Sequence, residues 1–160
     1  AGFDWQAHES RKLALVASST DFSDGNLRNN VMATWFERWL SAPRWNFETT
    51  LGADTSRNSL GYAAAYFNPP EDRSLWLTAA VENLAWRDYD YAFRQRLALT
   101  VGNYWQSGFG NGDTEAIEYH QRWELGRAMS LRYGIGRSLR PYDGEREARN
   151  FATLILLWRF

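Results

Sequence analysis

Apolar and polar residues alternate one by one along much of this 160-residue chain. In SLWLTAAVE, at positions 74–82, leucine, alanine and valine fill the odd positions, while serine, tryptophan, threonine and glutamate fill most of the even ones. The segment AFRQRLALTVG, at positions 92–102, repeats the pattern, with Leu97 and Val101 on one side. Successive side chains of a β-strand point to opposite faces, so this period of two predicts strands with one apolar and one polar face.

The pattern recurs often enough to predict about eight strands, most of them roughly 10 to 14 residues long, whereas strands of globular proteins usually have about five or six. Strands of this length suit a tilted crossing of a lipid bilayer. The early runs Lys12–Phe22 and Leu27–Leu40 are strand-like, and the orientation of their faces stays open. The strand lengths therefore favour a transmembrane sheet.

The predicted connections alternate in length. Tight turns are predicted at 41–44, 87–90 and 126–128, and longer links at 55–73, 106–113 and 140–146. Outer-membrane barrels have short periplasmic turns and long outer loops, so this order places the C-terminus on the periplasmic side. The short link 23–26 is an exception on the outer side.

Composition narrows the class of protein. The net charge of −1 indicates no nucleic-acid partner, and the absence of cysteine excludes disulfides and thiolate metal sites. The chain carries 9 Trp, 9 Phe and 8 Tyr but a single lysine, Lys12, although a solvent-facing sheet would carry more lysine. The favoured fold is an all-β, antiparallel up-and-down transmembrane β-barrel that forms one region over residues 1–160. A soluble barrel of the lipocalin kind, a ligand carrier with its apolar face inward, is an alternative.

The C-terminal segment TLILLWRF is predicted to be the closing strand of the barrel. Its alternate residues Leu154, Leu156, Trp158 and Phe160 would face lipid, with the aromatic side chains at the periplasmic rim. A terminal phenylalanine on such a strand resembles the signature that the barrel-assembly machinery reads in bacterial outer-membrane proteins. The sequence thus predicts two partners, a lipid bilayer and this machinery.

Several segments resemble the C-terminal barrel of the PgaA family of outer-membrane export porins. They are RWNFETTLGADTSRNS, YFNPPEDRSLWLTAAVE, FRQRLALTVGNYWQSGFG, YHQRWELGRAMSLRYGIGRSLRPYDGEREARN and the closing LLWRF. The resemblance covers residues 39–160, and its most specific pieces are YFNP at 66–69 and RPYDG at 140–144. It implies passive, charge-guided export of poly-β-1,6-N-acetyl-D-glucosamine, a biofilm polysaccharide, through a sixteen-stranded barrel that follows a periplasmic helical-repeat domain.

About eight strands would form half of such a barrel. One expectation is therefore the C-terminal half of a larger porin, which would pair with the missing N-terminal half of the barrel or with a second copy. The alternative is a small closed barrel of eight strands, whose interior side chains would fill. That second form would have a structural role and no open pore.

The polar strand faces supply the candidate residues for polymer passage. The resemblance implies that carboxylates attract a partly deacetylated, cationic glucosamine polymer. As aromatic residues of the polar faces, Trp76 and Tyr104 would offer surfaces on which sugars stack. The candidate carboxylates are Glu48, Asp54, Glu82, Glu118 and Glu124. In a closed small barrel these carboxylates would instead pair with arginines across strands.

The predicted outer loops hold a second set of candidate residues, which would contact the emerging polymer. They are Tyr66, Asn68, Tyr142 and Asp143. The segment 61–70 would either fold inward and narrow the pore or cap the barrel. Arg140–Gly144 is predicted to form a type I or II turn with Pro141 at its preferred position.

No enzyme activity is expected. His120 lies between Glu118 and Arg122 on a polar face, so a Ser-His-Glu arrangement of a barrel hydrolase is a third hypothesis. The sequence around it has no characteristic nucleophile motif. No spacing of ligands indicates a metal, and no cofactor is expected.

Overall fold

The computed structural model describes residues 1–159 and contains a single antiparallel sheet. Within these residues the sheet has nine strands, each paired with the next one along the chain. The strands are β1 (Gly2–His8), β2 (Arg11–Asp21), β3 (Leu27–Ser41), β4 (Trp45–Asn58), β5 (Glu71–Asp88), β6 (Tyr91–Gln106), β7 (Gly110–Leu125), β8 (Met129–Tyr142) and β9 (Glu145–Trp158). A short 3₁₀ helix, Gly61–Ala63, lies in the β4–β5 loop. Strands β1 and β9 are the two edges, so the sheet is open over the described residues.

The predicted antiparallel up-and-down architecture is confirmed, with one strand more than the eight counted from the sequence. The additional strand is β1, whose alternation of Phe3 and Trp5 with polar neighbours extends over only 7 residues. From β2 onward the strands have between 11 and 18 residues. In the described part of the chain, no helix has the length and apolar character needed to cross a membrane.

The connections at the predicted outer end are shorter than the sequence indicated. The long links predicted at 106–113 and 140–146 are wrong, because β6 runs to Gln106 and β8 to Tyr142. Only the β4–β5 connection is long, and it is limited to residues 59–70. The end of the sheet with the turns near 43, 89 and 127 is termed the periplasmic end, and the opposite end is termed the outer end.

Backbone conformation explains one of these tight turns. Asp143 and Gly144 both have positive φ, 49° and 84°, as a two-residue type I′ hairpin requires. Pro141 remains in β8, opposite Arg146 of β9. The predicted type I or II turn around Pro141 is therefore wrong, since the chain reverses two residues later.

The two faces of the sheet have opposite chemistry. The face with Leu75, Leu97 and Ile117 is exposed and apolar, and is termed the lipid face. The face with Thr100 is termed the lumen face, and it contains the most buried small residues of these strands, including Ala80, 2% exposed. Burial of small residues on the polar side indicates that this side is concave. A polar concave face and an apolar convex face are what a membrane pore requires.

Aromatic side chains lie on the lipid face near the periplasmic turns. Phe93 and Trp123 stack on neighbouring strands, with ring centroids 4.3 Å apart. Trp158 lies opposite Met129, next to the β7–β8 turn, and is 70% exposed. Trp35 and Trp5 also belong to this face. Their position shows which face of β3 is apolar, a point that its sequence left open. Phe93, Trp123 and Trp158 correspond to an aromatic girdle, whereas Trp35 lies opposite Leu51, farther from the turns.

Three of the residues predicted to face lipid share one exposed face of β9. Leu154 and Leu156 alternate along the lipid face with Trp158, and Leu154 is 74% exposed. Phe160 lies outside the described residues. The opposite face of β9 also exposes Ile155 and Leu157, so this edge strand is apolar on both sides.

Glycines on the lumen face provide room for rings from the next strand. The indole of Trp76 lies so close to Gly52 that a Cβ atom there would overlap it. The imidazole of His120 covers Gly134, and Phe151 covers Gly136, in the same way. Rings that lie flat against the wall leave the space in front of it free.

Valine at position 52 is expected to destabilise the sheet by about 1–3 kcal/mol, because the side chain would push the Trp76 ring off the wall. The midpoint of denaturant unfolding in detergent micelles measures the effect. Ala53→Val is the matched control, since Ala53 is the next residue and lies on the lipid face. Adding Trp76→Ala to Gly52→Val should restore stability, and a midpoint that stays low in the double variant would contradict this explanation.

Candidate functional site

A network of ion pairs covers the lumen face toward the periplasmic end. Glu48 of β4 accepts a hydrogen bond from Arg96 of β6 at 2.9 Å, and Arg38 of β3 lies 3.9 Å away. The contact between Glu48 and Arg96 passes over β5, where Ala80 leaves room for it. Glu48 is thus held between two arginines.

The other carboxylates of this region are paired as well. Arg94 lies between Glu82 at 3.4 Å and Glu124 at 3.9 Å, and Glu124 also contacts Arg122 at 2.9 Å. Opposite charges therefore alternate along β5, β6 and β7. This wall presents compensated charges in place of a ring of free carboxylates.

Glu118 and His120 form a pair on β7. Nε2 of His120 lies 3.0 Å from a carboxylate oxygen of Glu118, and the ring packs on Gly134 of β8. Among the described residues, no group of three or more His, Asp or Glu side chains is placed to hold a metal ion. The geometry gives His120 a position in the wall, flat against its neighbour.

Small side chains form a belt across the middle of the lumen face. Thr78 and Thr100 share a hydrogen bond of 2.8 Å between β5 and β6. Ala98 and Ala116 extend this belt on β6 and β7, and Ser138 extends it on β8. Hydroxyl and methyl groups leave this level of the wall wide and polar.

Tyr104 and the aspartates lie together at the outer end of the lumen face. Asp72 accepts hydrogen bonds from Ser56 at 2.8 Å and from the hydroxyl of Tyr104 at 3.3 Å. Asp54 accepts one from Ser74. The ring of Tyr104 is 1% exposed and carries the guanidinium of Arg140, 4.2 Å from its centroid. The sequence prediction that Tyr104 offers a sugar-stacking face is therefore not met in this conformation, whereas Trp76 remains half-buried against the wall.

The β4–β5 loop, residues 59–70, is fastened to the neighbouring β2–β3 turn. The buried amide of Asn26 donates hydrogen bonds to the hydroxyl of Tyr66 at 3.1 Å and to Asn68 at 3.0 Å. Its oxygen accepts a hydrogen bond from the backbone of Leu60 at 3.2 Å. Asn68 in turn donates to the carbonyl of Gly61 at 3.0 Å, which closes the loop on itself.

The same loop reaches strands on its other side. Phe67 stacks on Tyr142 at the outer end of β8, with centroids 4.1 Å apart. The hydroxyl of Tyr62 donates to the carbonyl of Ser107, and buried Gln106 donates to Asp143 at 2.6 Å. Because Tyr142 is three strands away from β5, the loop extends over the concave side of the sheet. All four outer-loop candidates, Tyr66, Asn68, Tyr142 and Asp143, belong to this one assembly.

Sequence reasoning missed two members of this assembly. Asn26 and Gln106 make central contacts, yet neither stands out by motif or spacing. Tyr62 and Phe67 lie in the segment 61–70, which was predicted to fold inward or to cap the barrel. The local signal at Asn26 is the turn SDGN at 23–26, which the sequence predicts as a short link. The roles of Asn26 and Gln106 depend on contacts between residues about 40 positions apart.

Comparisons with known proteins agree with this architecture. The family model described as PgaA membrane beta barrel domain matches residues 1–160. Two curated proteins named Poly-beta-1,6-N-acetyl-D-glucosamine export protein, from Escherichia coli (strain K12) and Escherichia coli O157:H7, are each 27% identical over 156 residues. Those alignments cover 98% of this chain and 19% of each relative, so the chain spans about a fifth of their length.

A solved structure shares the fold. It is titled Bacterial polysaccharide outer membrane secretin and superimposes with a TM-score of 0.95 at 26% sequence identity. The match covers 99% of this chain and 55% of the other. The strand order and curvature described above are therefore those of a larger known barrel.

Proposed function

This chain belongs to the PgaA membrane β-barrel domain family, and we propose that it forms part of the wall of a pore that exports a glucosamine-based polysaccharide. It is located in the bacterial outer membrane. The observation that carries the proposal is the contrast between the apolar lipid face and the lumen face, with its belt of Thr78, Thr100 and Ser138. A hydrated polysaccharide can exchange water for such hydroxyls at little cost.

We propose that further strands complete the barrel. Backbone groups in lipid must all be hydrogen-bonded, so the free edges β1 and β9 require partners. The match to a structure of which this chain covers 55% favours additional strands of the same barrel over a second copy. The barrel-assembly machinery remains a proposed partner through the C-terminal strand.

The polymer is proposed to be poly-β-1,6-N-acetyl-D-glucosamine, the polysaccharide in the names of the curated relatives. The paired charges on the lumen face offer acceptors for amines and donors for acetamido groups, which is the basis of the proposed passive, charge-guided passage. In this proposal the carboxylates accept hydrogen bonds from the amines of the polymer while they stay paired with their cationic neighbours. These carboxylates are Glu48, Glu82, Glu118 and Glu124. We expect no catalysis, and we assign His120 to the wall.

A variant with bulky side chains in the belt of small residues tests the proposal. Thr78→Trp combined with Thr100→Trp should reduce polymer export by about tenfold or more, because pore width limits passage. Surface and secreted polymer are measured by immunoblot in a strain that lacks its own export protein. Val81→Trp is the matched control, since Val81 lies on the lipid face of the same strand. Normal export by the double variant, with the barrel folded, would refute the proposed pore.

A further inference from the structure

Three charged side chains form a cluster on the lipid face, at the outer ends of β4 and β5. The carboxylate of Glu71 lies 2.6 Å from Arg73 and 3.7 Å from Arg57. The two arginine side chains remain 75% and 61% exposed, for Arg57 and Arg73 respectively. Arg73 also stacks over Trp105, 5.3 Å from the ring centroid, and tryptophan is enriched at the membrane–water interface. The guanidinium groups therefore lie at the depth of the lipid head groups.

A groove of ≈ 500 Å³ runs beside this cluster. Val31 and Thr55 form its floor, and Asn29 lies at its outer side. Leu75 continues the apolar surface toward the middle of the membrane. The groove thus joins a charged end to an apolar channel along the sheet.

The charges of the cluster do not cancel. Glu71 accepts hydrogen bonds from Nε and Nη2 of Arg73, at 3.1 Å and 2.6 Å, and such charge-assisted contacts favour the ionised carboxylate. The cluster contains two guanidinium groups and one carboxylate, so its net charge is positive by one unit. Each guanidinium also keeps free N–H groups, because Glu71 cannot satisfy both forks. Planar guanidinium groups match phosphate oxygens in a bidentate manner.

We propose that this groove binds a phosphate-bearing lipid of the outer leaflet, with its phosphate on Arg57 and Arg73 and an acyl chain along Val31 and Leu75. Charge complementarity selects the anionic head group, and the apolar floor selects a lipid over soluble phosphate. Glu71 acts as a positioning residue that holds the two arginines side by side. The site lies on the outside of the barrel, so it is separate from the proposed export path.

Native mass spectrometry of the barrel protein in detergent micelles tests the proposal, with diphosphoryl lipid A and its dephosphorylated form as probes. Wild type should retain the phosphorylated lipid. Arg57→Gln and Arg73→Gln should each weaken retention by about fivefold, the usual contribution of one arginine near an anionic lipid surface. Arg127→Gln is the matched control, because Arg127 is an exposed, ion-paired arginine of a periplasmic turn.

Three results would overturn the proposal. One is equal retention of the phosphorylated and dephosphorylated lipid, and another is a loss in Arg127→Gln as large as in Arg57→Gln. The third is displacement of the lipid by inorganic phosphate at the same concentration, which would mean that the cluster binds free anions. Conductance and polymer export should be normal in all three variants, which separates this proposal from the proposed pore.

Discussion

Replacing residues 61–68 of the β4–β5 loop by a short glycine-serine linker should raise the single-channel conductance of the barrel by roughly twofold, because pore width sets ion flow. The loop extends over the concave side of the sheet and is fastened there through Asn26 and through the stack of Phe67 on Tyr142. Removing it should leave the strands intact, since their pairing does not involve the loop. Planar-bilayer recording measures the change.

Removing one set of hydrogen bonds that hold the loop should change the conductance less than removing the loop itself. Asn26→Ala leaves buried partners without hydrogen bonds, at a cost of about 1–3 kcal/mol, and should produce frequent switching between two conductance levels. Asn150→Ala is the matched control, because Asn150 is an asparagine on the lipid face. A conductance unchanged by the linker variant would show that the loop lies clear of the path and only caps the barrel edge.

Neutralising Arg94 and Glu82 separately should change ion selectivity in opposite directions. Arg94→Gln releases Glu82 and weakens one contact of Glu124, so the preference for cations over chloride should rise by about twofold. Glu82→Gln releases positive charge and should lower that preference by a similar factor. The reversal potential under a salt gradient gives both values.

The sign of the two shifts is the decisive feature. Glu115→Gln is the matched control, because Glu115 pairs with Arg146 on the lipid face and should leave selectivity unchanged. Shifts in the same direction for Arg94→Gln and Glu82→Gln would mean that folding, and not lumen charge, had changed. Export of a cationic polymer should follow the selectivity, with Arg94→Gln at least as active as wild type.

The strands and their faces were predictable from sequence because a period of two is a local property. Leu75 and Leu77 on β5, like Leu97 and Leu99 on β6, point to the same face regardless of their partners. The antiparallel order followed from short connections. The missed strand β1 shows the limit, since its 7 residues contain few repeats of the pattern.

The contacts of the site depend on strand register and could not be predicted from the sequence. Glu48 meets Arg96 only because β4, β5 and β6 are aligned with Ala80 between them. The same applies to Phe67 and Tyr142, which are 75 positions apart and meet through the path of the loop. The predicted turn lengths were wrong for a different reason. The segment 140–144 was predicted to turn around Pro141, whereas the positive φ of Asp143 and Gly144 permits a tighter, two-residue reversal.

The ion pair between Glu48 and Arg96, which passes over β5, also bears on the shape of the wall. A link between alternate strands on the concave side shortens the inner arc, and Ala80 and Ala98 are small enough to permit that bend. The pair of charges and the two alanines thereby favour curvature of the wall at this point. A larger residue at either alanine would flatten this arc and so oppose closure of the barrel, because curvature and strand number must match.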